Sequence, residues 1–313
     1  MTELVQTRYA YGEALVEAAE RYPEVVVLDA DLYTSTRTVG VRERFPERFI
    51  EMGIAEMDMV SMAAGLAASG LVPFANSFAM FLTGHCYDPI RIQICYPQLH
   101  VVLAGSSAGL TQGPDGASHQ ALEDVALMRA LPHMTVLVPA DAIETRAMTL
   151  AAVRELAGPV YLRLGRYPVP NVLPADYVYR GGRAMWLREG TAATLLACGH
   201  MVHVALEAAA LLAQRGVGAA VANVSTLKPL DVEAVQQAAA ATPLVVTVEE
   251  HSIIGGLGSA VAEVLAESSS PARLLRLGTR DVFGESGTAD ELLRKHGLIP
   301  EGVAQAVVDA LGR

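Results

Sequence analysis

Short apolar runs alternate along this chain with longer stretches whose apolar residues recur every third or fourth position. The short runs predict strands over 25–29, 73–78, 100–105, 135–140 and 159–165, and a second series over 193–199, 218–225, 244–250 and 273–278. The periodic stretches between them predict helices, among them 9–21, 54–69, 120–130, 142–156, 202–215 and 259–267. Such alternation builds parallel sheets joined by crossover helices. The expected fold class is therefore α/β, with two three-layer α/β/α domains and mostly parallel sheets. The rhythm breaks at "RYPVPNVLPADYVYRGGRA", with three prolines and two glycines. This divides the chain into a first domain over 1–168, a linker over 169–185 and a second domain over 186–313.

One helical stripe carries an anomaly. In "GIAEMDMVSMAAGLAASG", Met59, Val60, Ala63, Ala64 and Ala67 share an apolar face, and Glu56 falls on the same face. A carboxylate in a first turn is favoured by the helix dipole. One placed on the buried face also suits a proton shared with a bound base, since burial raises its pKa while the dipole lowers it.

In open parallel sheets, ligands sit beyond the carboxyl ends of the strands. The polar residues of the first domain collect there. Asp29 and Asp31 follow the first strand, Asn76, Ser77 and Phe78 close the second, and Ser106 and Ser107 follow the third. Asp141 follows the fourth, and Arg163 and Arg166 close the fifth. The loop "GPDGASHQ" reads as a turn with Ser118 capping the next helix, yet it also sets Asp115 and His119 four residues apart. A histidine titrates near neutral pH and hydrogen-bonds hydroxyls. "IIGGLGSAVAEVLAE" reads as a tight strand–helix turn, because it lacks both the full GxGxxG spacing and a P-loop lysine. His200 and His203 read as solvated or capping histidines, and Arg8 and Arg37, taken alone, as surface charges.

The 313 residues are 52% hydrophobic with a net charge of −11. That balance argues against a nucleic-acid or anionic-membrane surface, but not against an anionic small substrate gripped by a few arginines. No apolar run has the length of a membrane span, and the first residues carry charges of both signs. Cys86, Cys95 and Cys198 have no CxxC spacing, which predicts a reduced, cytoplasmic setting with no zinc site.

The stretches "LDADLYTST", "GIAEMDMVSMAAGLAASGLVPFANSFAMF", "GPDGASHQALEDVALMRALPHMTVLVPAD" and "EEHSIIGGLGSAVAE" together resemble the C-terminal half of a transketolase, in particular the separate C-terminal subunit of a split one. The resemblance implies a pyrimidine-binding domain, a transketolase C-terminal domain and the cofactor thiamine diphosphate. It implies that Glu56 is the catalytic glutamate bonded to the cofactor's aminopyrimidine, an arrangement that activates the thiazolium carbon. Phe78 and Phe81 match rings packed on the pyrimidine, and Asp31 matches an aspartate near the thiazolium across the subunit interface. Asp115 and His119 match residues that bond sugar hydroxyls, His119 also acting in catalysis. Arg8, Ser35 and Arg166 match a clamp on the sugar's terminal phosphate.

Two positions depart from the family pattern. Gly84 replaces an aromatic residue or arginine near the pyrimidine, and Ser107 replaces a histidine of the phosphate clamp. The GDG motif followed by a distant asparagine, which holds metal and diphosphate, does not occur in the chain. The resemblance therefore implies a partner, an N-terminal transketolase subunit holding Mg²⁺ or Ca²⁺, in an α2β2 assembly. The implied reaction transfers a two-carbon ketol unit from a ketose or its phosphate to an aldose. Rival readings are a subunit like deoxyxylulose-phosphate synthase or a 2-oxo acid dehydrogenase β chain, a scaffolding subunit, and a nucleotide module built on "GGLGS". The hydroxyl-binding pair Asp115 and His119 favours a sugar, and retention of Glu56 favours a catalytic subunit.

Overall fold

The computed structural model describes residues 4–312. A seven-stranded sheet orders its strands Thr226–Lys228, Thr135–Leu137, Val160–Arg163, Val102–Ser106, Val72–Phe78, Val25–Asp29 and Phe49–Glu51. All neighbours are parallel except the first pair. That edge strand, Thr226–Lys228, comes from the C-terminal part of the chain and lies antiparallel on Thr135–Leu137. A five-stranded sheet orders Arg273–Thr279, Leu244–Ser252, Ala193–Ala197, Ala219–Asn223 and Met185–Arg188, with only the last strand antiparallel.

The central strands are apolar on both faces because helices cover both. On Val25–Asp29, Val26 and Leu28 pack with Met59, Val60, Ala63 and Ala64 of helix Glu56–Ala68. Val25 and Val27 pack on the opposite side with Tyr11, Leu15 and Ala18 of helix Thr7–Arg21 and Met148 of helix Ala142–Arg154. The second sheet repeats the scheme with Met201–Gln214 and Pro300–Leu311 on one face. On its other face, helices Val232–Ala241 and Leu257–Ala266 join the same apolar cluster as helix Glu56–Ala68. The two sheets thus share a core.

Three features depart from the pattern reading. The helix expected over 120–130 begins only at Asp124 and has no side-chain cap, so Ser118 is not its cap. The stretch between the domains is not wholly irregular. Pro168–Pro170 pairs antiparallel with Leu4–Gln6, and Met185–Arg188 joins the second sheet. Finally, Phe81–His85 and Ile90–Cys95 wind as wide π-type turns, a conformation that recurs at functional sites. No helix of the described residues is long and apolar enough to cross a membrane.

Candidate active site

Glu56 opens its helix and is buried, with 7% of its surface exposed. Its carboxylate accepts one hydrogen bond, from Ser77 Oγ at 3.2 Å. Ser77 precedes Phe78, which closes the neighbouring strand Val72–Phe78. The Phe78 and Phe81 rings stack with centroids 6.0 Å apart, and His119 meets Phe81 edge-on at 5.0 Å and Phe78 at 6.0 Å. The fold therefore brings a buried carboxylate, two apolar ring faces and an imidazole to the end of one strand. His85 stacks on Phe81 at 5.5 Å. It stands one residue after Gly84, the position where the family pattern has an aromatic residue or arginine. Cys86 lies close by, its thiol pushed up to about 12 by burial and by the Glu56 charge.

The second group is cationic. Arg8 donates to the Ser35 carbonyl at 3.1 Å and to Gln6 Oε1 at 2.8 Å. Burial, then the charges of Arg166 and Arg37, bring the Arg8 guanidinium down to about 10. Arg166 in turn reaches Asp115 at 3.3 Å, and Asp115 accepts from Gln112 Nε2. The Arg8 backbone amide donates to the Gly165 carbonyl at 3.4 Å, which sets the Arg8–Ser35 and Arg166–Asp115 pairs side by side, and Arg37 shares the Tyr9 ring with Arg8. Arg37, read from sequence as a surface charge, is half-buried with its guanidinium 3.5 Å from the Tyr9 ring centroid. Nothing in the local sequence around Arg37 distinguishes it from an ordinary arginine.

Other expected members make no described hydrogen bond to these groups, although Ser106, next to Ser107, pairs with Phe78. Asp31 is exposed in a left-handed conformation (φ 60°), its amide held by Glu51 at 2.8 Å. No described hydrogen bond joins Asp31 to Glu56 or the rings. Ser107 is fully buried at φ 57°, and its hydroxyl has no partner.

Several strand-end groups serve the fold instead. Asp29 binds the Thr36 and Thr38 hydroxyls and the Leu32 amide, while burial raises its carboxyl to about 6. Asp141 caps helix Ala142–Arg154 and holds the Val172 and Leu173 amides. Arg163 is not a ligand-facing arginine: it is buried and paired with Asp124 at 2.7 Å, an arrangement costly to break on either side.

The glycine-rich turn of the second domain is filled by the chain itself. Glu249 accepts the amides of Leu257 and Gly258, both at 2.7 Å, and a Cβ on Gly256 would lie 2.0 Å from the Glu249 carboxylate. The turn is a carboxylate cradle, and a nucleotide phosphate has no room there. His200 and His203 are neither solvated nor capping. Both are half-buried, and His200 Nδ1 lies 3.1 Å from Glu250. Burial, then the neighbouring His200, pushes His203 down to about 4.

Residues 3–171 match the pyrimidine-binding domain of transketolase, and residues 182–303 match the transketolase C-terminal domain. A solved structure described as a split gene transketolase, inactive beta4 tetramer, superposes with a TM-score of 0.91 at 50% identity, covering 98% of this chain and 99% of that one. The 6-deoxy-6-sulfo-D-fructose transketolase subunit SqwH of Clostridium sp. (strain MSTE9) is 42% identical over 98% of this chain and 94% of its own length. An apulose-4-phosphate transketolase subunit of Phocaeicola vulgatus is 34% identical over 98% of this chain and 97% of its own. Membership of the pyrimidine-binding domain family implies use of thiamine diphosphate. With both domains matched and whole subunits of split enzymes aligned end to end, the chain belongs to the transketolase family.

Proposed function

We propose that this chain is the pyrimidine- and sugar-binding half of a two-subunit ketol transferase, moving a two-carbon unit from a ketose with an anionic far end to an aldose. The observation that carries this reading is Glu56: a buried carboxylate with one weak partner, set beside the rings of Phe78, Phe81 and His119. That set fits an aminopyrimidine, whose ring nitrogen shares one proton with a carboxyl group and whose flat faces pack on apolar rings. When bound, thiamine diphosphate supplies the carbon nucleophile that carries the two-carbon unit. Glu56 holds a proton towards the pyrimidine, in a dry setting where such a bond is strong. His119 and Asp115 bond the sugar hydroxyls, and His119 is placed to move a proton there. Arg8, Ser35 and Arg166 hold the far end of the sugar, and Asp31 serves the active site of a neighbouring subunit.

The domain boundary is placed at residues 169–185. An N-terminal partner subunit holds the diphosphate and its Mg²⁺ or Ca²⁺ in an α2β2 assembly in the cytoplasm. Support comes from the two relatives, each named as a subunit, one of a sulfosugar and one of a sugar-phosphate transketolase. The beta4 relative described as inactive supports the need for a second chain type. The test is Glu56→Gln in the assembled enzyme. Since acid–base groups contribute about 10²–10⁴-fold in rate, turnover should fall at least a hundredfold with assembly intact. A loss below about tenfold refutes the role.

A further inference from the structure

We infer that Arg37 determines specificity at the far end of the sugar site: it is a third guanidinium, beside Arg8 and Arg166, that selects a doubly charged phosphate ester over a singly charged sulfonate or a neutral hydroxyl. This rests on the proposal that Arg8, Ser35 and Arg166 hold that end of the substrate.

The fold fixes Arg37 in place from several sides. It follows the single helical turn Tyr33–Thr36 at φ 69°, a conformation that residues bearing a side chain seldom adopt. The flanking residues pin it there, since Thr36 and Thr38 both donate to Asp29 Oδ2, at 2.7 and 2.9 Å. Strained backbone persists only where its surroundings over-determine it, and such positions cluster at functional sites. Gly12 supplies the room: a Cβ there would lie 2.5 Å from the Arg37 carbonyl oxygen and 2.7 Å from its Cβ. The guanidinium is then stacked on Tyr9, whose ring also has Arg8 at 5.5 Å.

Held so firmly, the Arg37 guanidinium has no hydrogen-bond or carboxylate partner among the described residues, only the Tyr9 ring. Its Nε is buried without a partner, and no described hydrogen bond or ion pair involves its guanidinium. Among the described residues, Arg8 has no carboxylate partner either, and Arg166 has only Asp115. Three guanidiniums against one bonded carboxylate leave two positive charges uncompensated, on a chain whose net charge is −11. Gathering like charges is unfavourable: beyond burial, which lowers Arg8 most, the charges of Arg166 and Arg37 lower it further. An anion of matching charge relieves the repulsion, and the planar guanidinium fork suits phosphate oxygens. A sulfonate carries one charge and leaves a guanidinium uncompensated.

The test uses the full chain at pH 8 and follows the rise in Tm with inorganic phosphate and with methanesulfonate, which converts to an apparent affinity for each. The parent should bind phosphate more tightly than methanesulfonate. Arg37→Gln should weaken phosphate about tenfold, the size of one lost charge-assisted bond, and methanesulfonate less than threefold. Arg37→Lys, which keeps the cation but loses the planar fork, should recover only part of the preference. A parent without the preference, or an Arg37→Gln chain within twofold of the parent for phosphate, overturns the inference. Arg8→Gln separates the two readings. If it weakens phosphate while Arg37→Gln does not, only the role of Arg37 falls. If neither substitution weakens phosphate, the anion-site reading itself falls.

Discussion

Glu250, near the end of the second sheet's strand Leu244–Ser252, accepts the backbone amide of Thr111 at 2.5 Å, in the loop that carries Asp115 and His119. Gly109 comes so close that a Cβ there would lie 2.4 Å from the Glu250 carboxyl carbon. The other carboxylate oxygen faces His200 Nδ1 at 3.1 Å. Farther along the loop, Gln120 donates to the Glu285 carbonyl at 2.9 Å. The loop of the first domain that carries Asp115 and His119 is therefore held from the second, which gives the second domain a part in positioning the proposed sugar site.

Removing that hold should be visible in both stability and kinetics. Glu250→Ala leaves the buried Thr111 amide unpaired, a loss of about 1–3 kcal/mol. It also frees the loop, so KM for the sugar should rise several-fold in the assembled enzyme. Glu250→Gln keeps an acceptor of the same shape and should retain most of both. Denaturant unfolding and steady-state assays check this. A Glu250→Ala enzyme with parental KM would show that the loop is positioned by other contacts.

The layers and most strands were legible in the sequence because buried parallel strands read as continuous apolar runs. Val25–Asp29 and Ala193–Ala197 appear as such runs. Thr226–Lys228 and Met185–Arg188 were missed, since short strands at sheet edges have no apolar pattern of their own and are fixed by pairing at long range. Glu56 stood out because it broke a helical stripe, and Asp115 and His119 because of their loop. Arg37 and Glu250 gave no such signal: what distinguishes them is a stacking partner, a neighbouring glycine or an amide far away in sequence. Conversely, Arg163 and Asp141 sat at strand ends like ligand-binding groups, and only their buried partners show that they serve the fold.

A buried carboxyl and a half-buried imidazole should make stability depend on pH in opposite directions. Burial raises Glu249 to about 7 from its ordinary 4.5. Its folded form favours the proton, so its contribution is full below about pH 4.5 and is lost as pH rises through 7, on the order of 3 kcal/mol. His203, pushed down to about 4 from 6.5, stays neutral when folded. Its contribution is full above about pH 6.5 and is lost as pH falls towards 4. The stability lead of the parent over Glu249→Gln should therefore shrink between about pH 4.5 and 7. Its lead over His203→Leu should shrink between pH 6.5 and 4. Urea midpoints measured across both windows decide the matter, and leads that stay constant with pH refute the assignments.

The last expectation concerns the chain on its own. In the proposed reading it offers a cofactor only a pyrimidine site: one buried carboxylate and two ring faces. A diphosphate with its divalent cation needs oxygen ligands for the metal and cationic or amide donors for the phosphates. Among the described residues no three His, Cys, Asp or Glu side chains come together to hold a metal. The glycine-rich turn that most resembles a phosphate cradle is already filled by Glu249. Stacking and one hydrogen bond then have to offset the cost of immobilising the whole ligand, which takes several kcal/mol from any gain. Calorimetry with thiamine diphosphate and Mg²⁺ should accordingly show binding weaker than about 0.1 mM, near 5.5 kcal/mol, for this chain alone. Adding the N-terminal partner should tighten it by two orders of magnitude or more, and Glu56→Gln should reduce that gain. Low-micromolar binding by the isolated chain would mean that it carries a diphosphate site of its own.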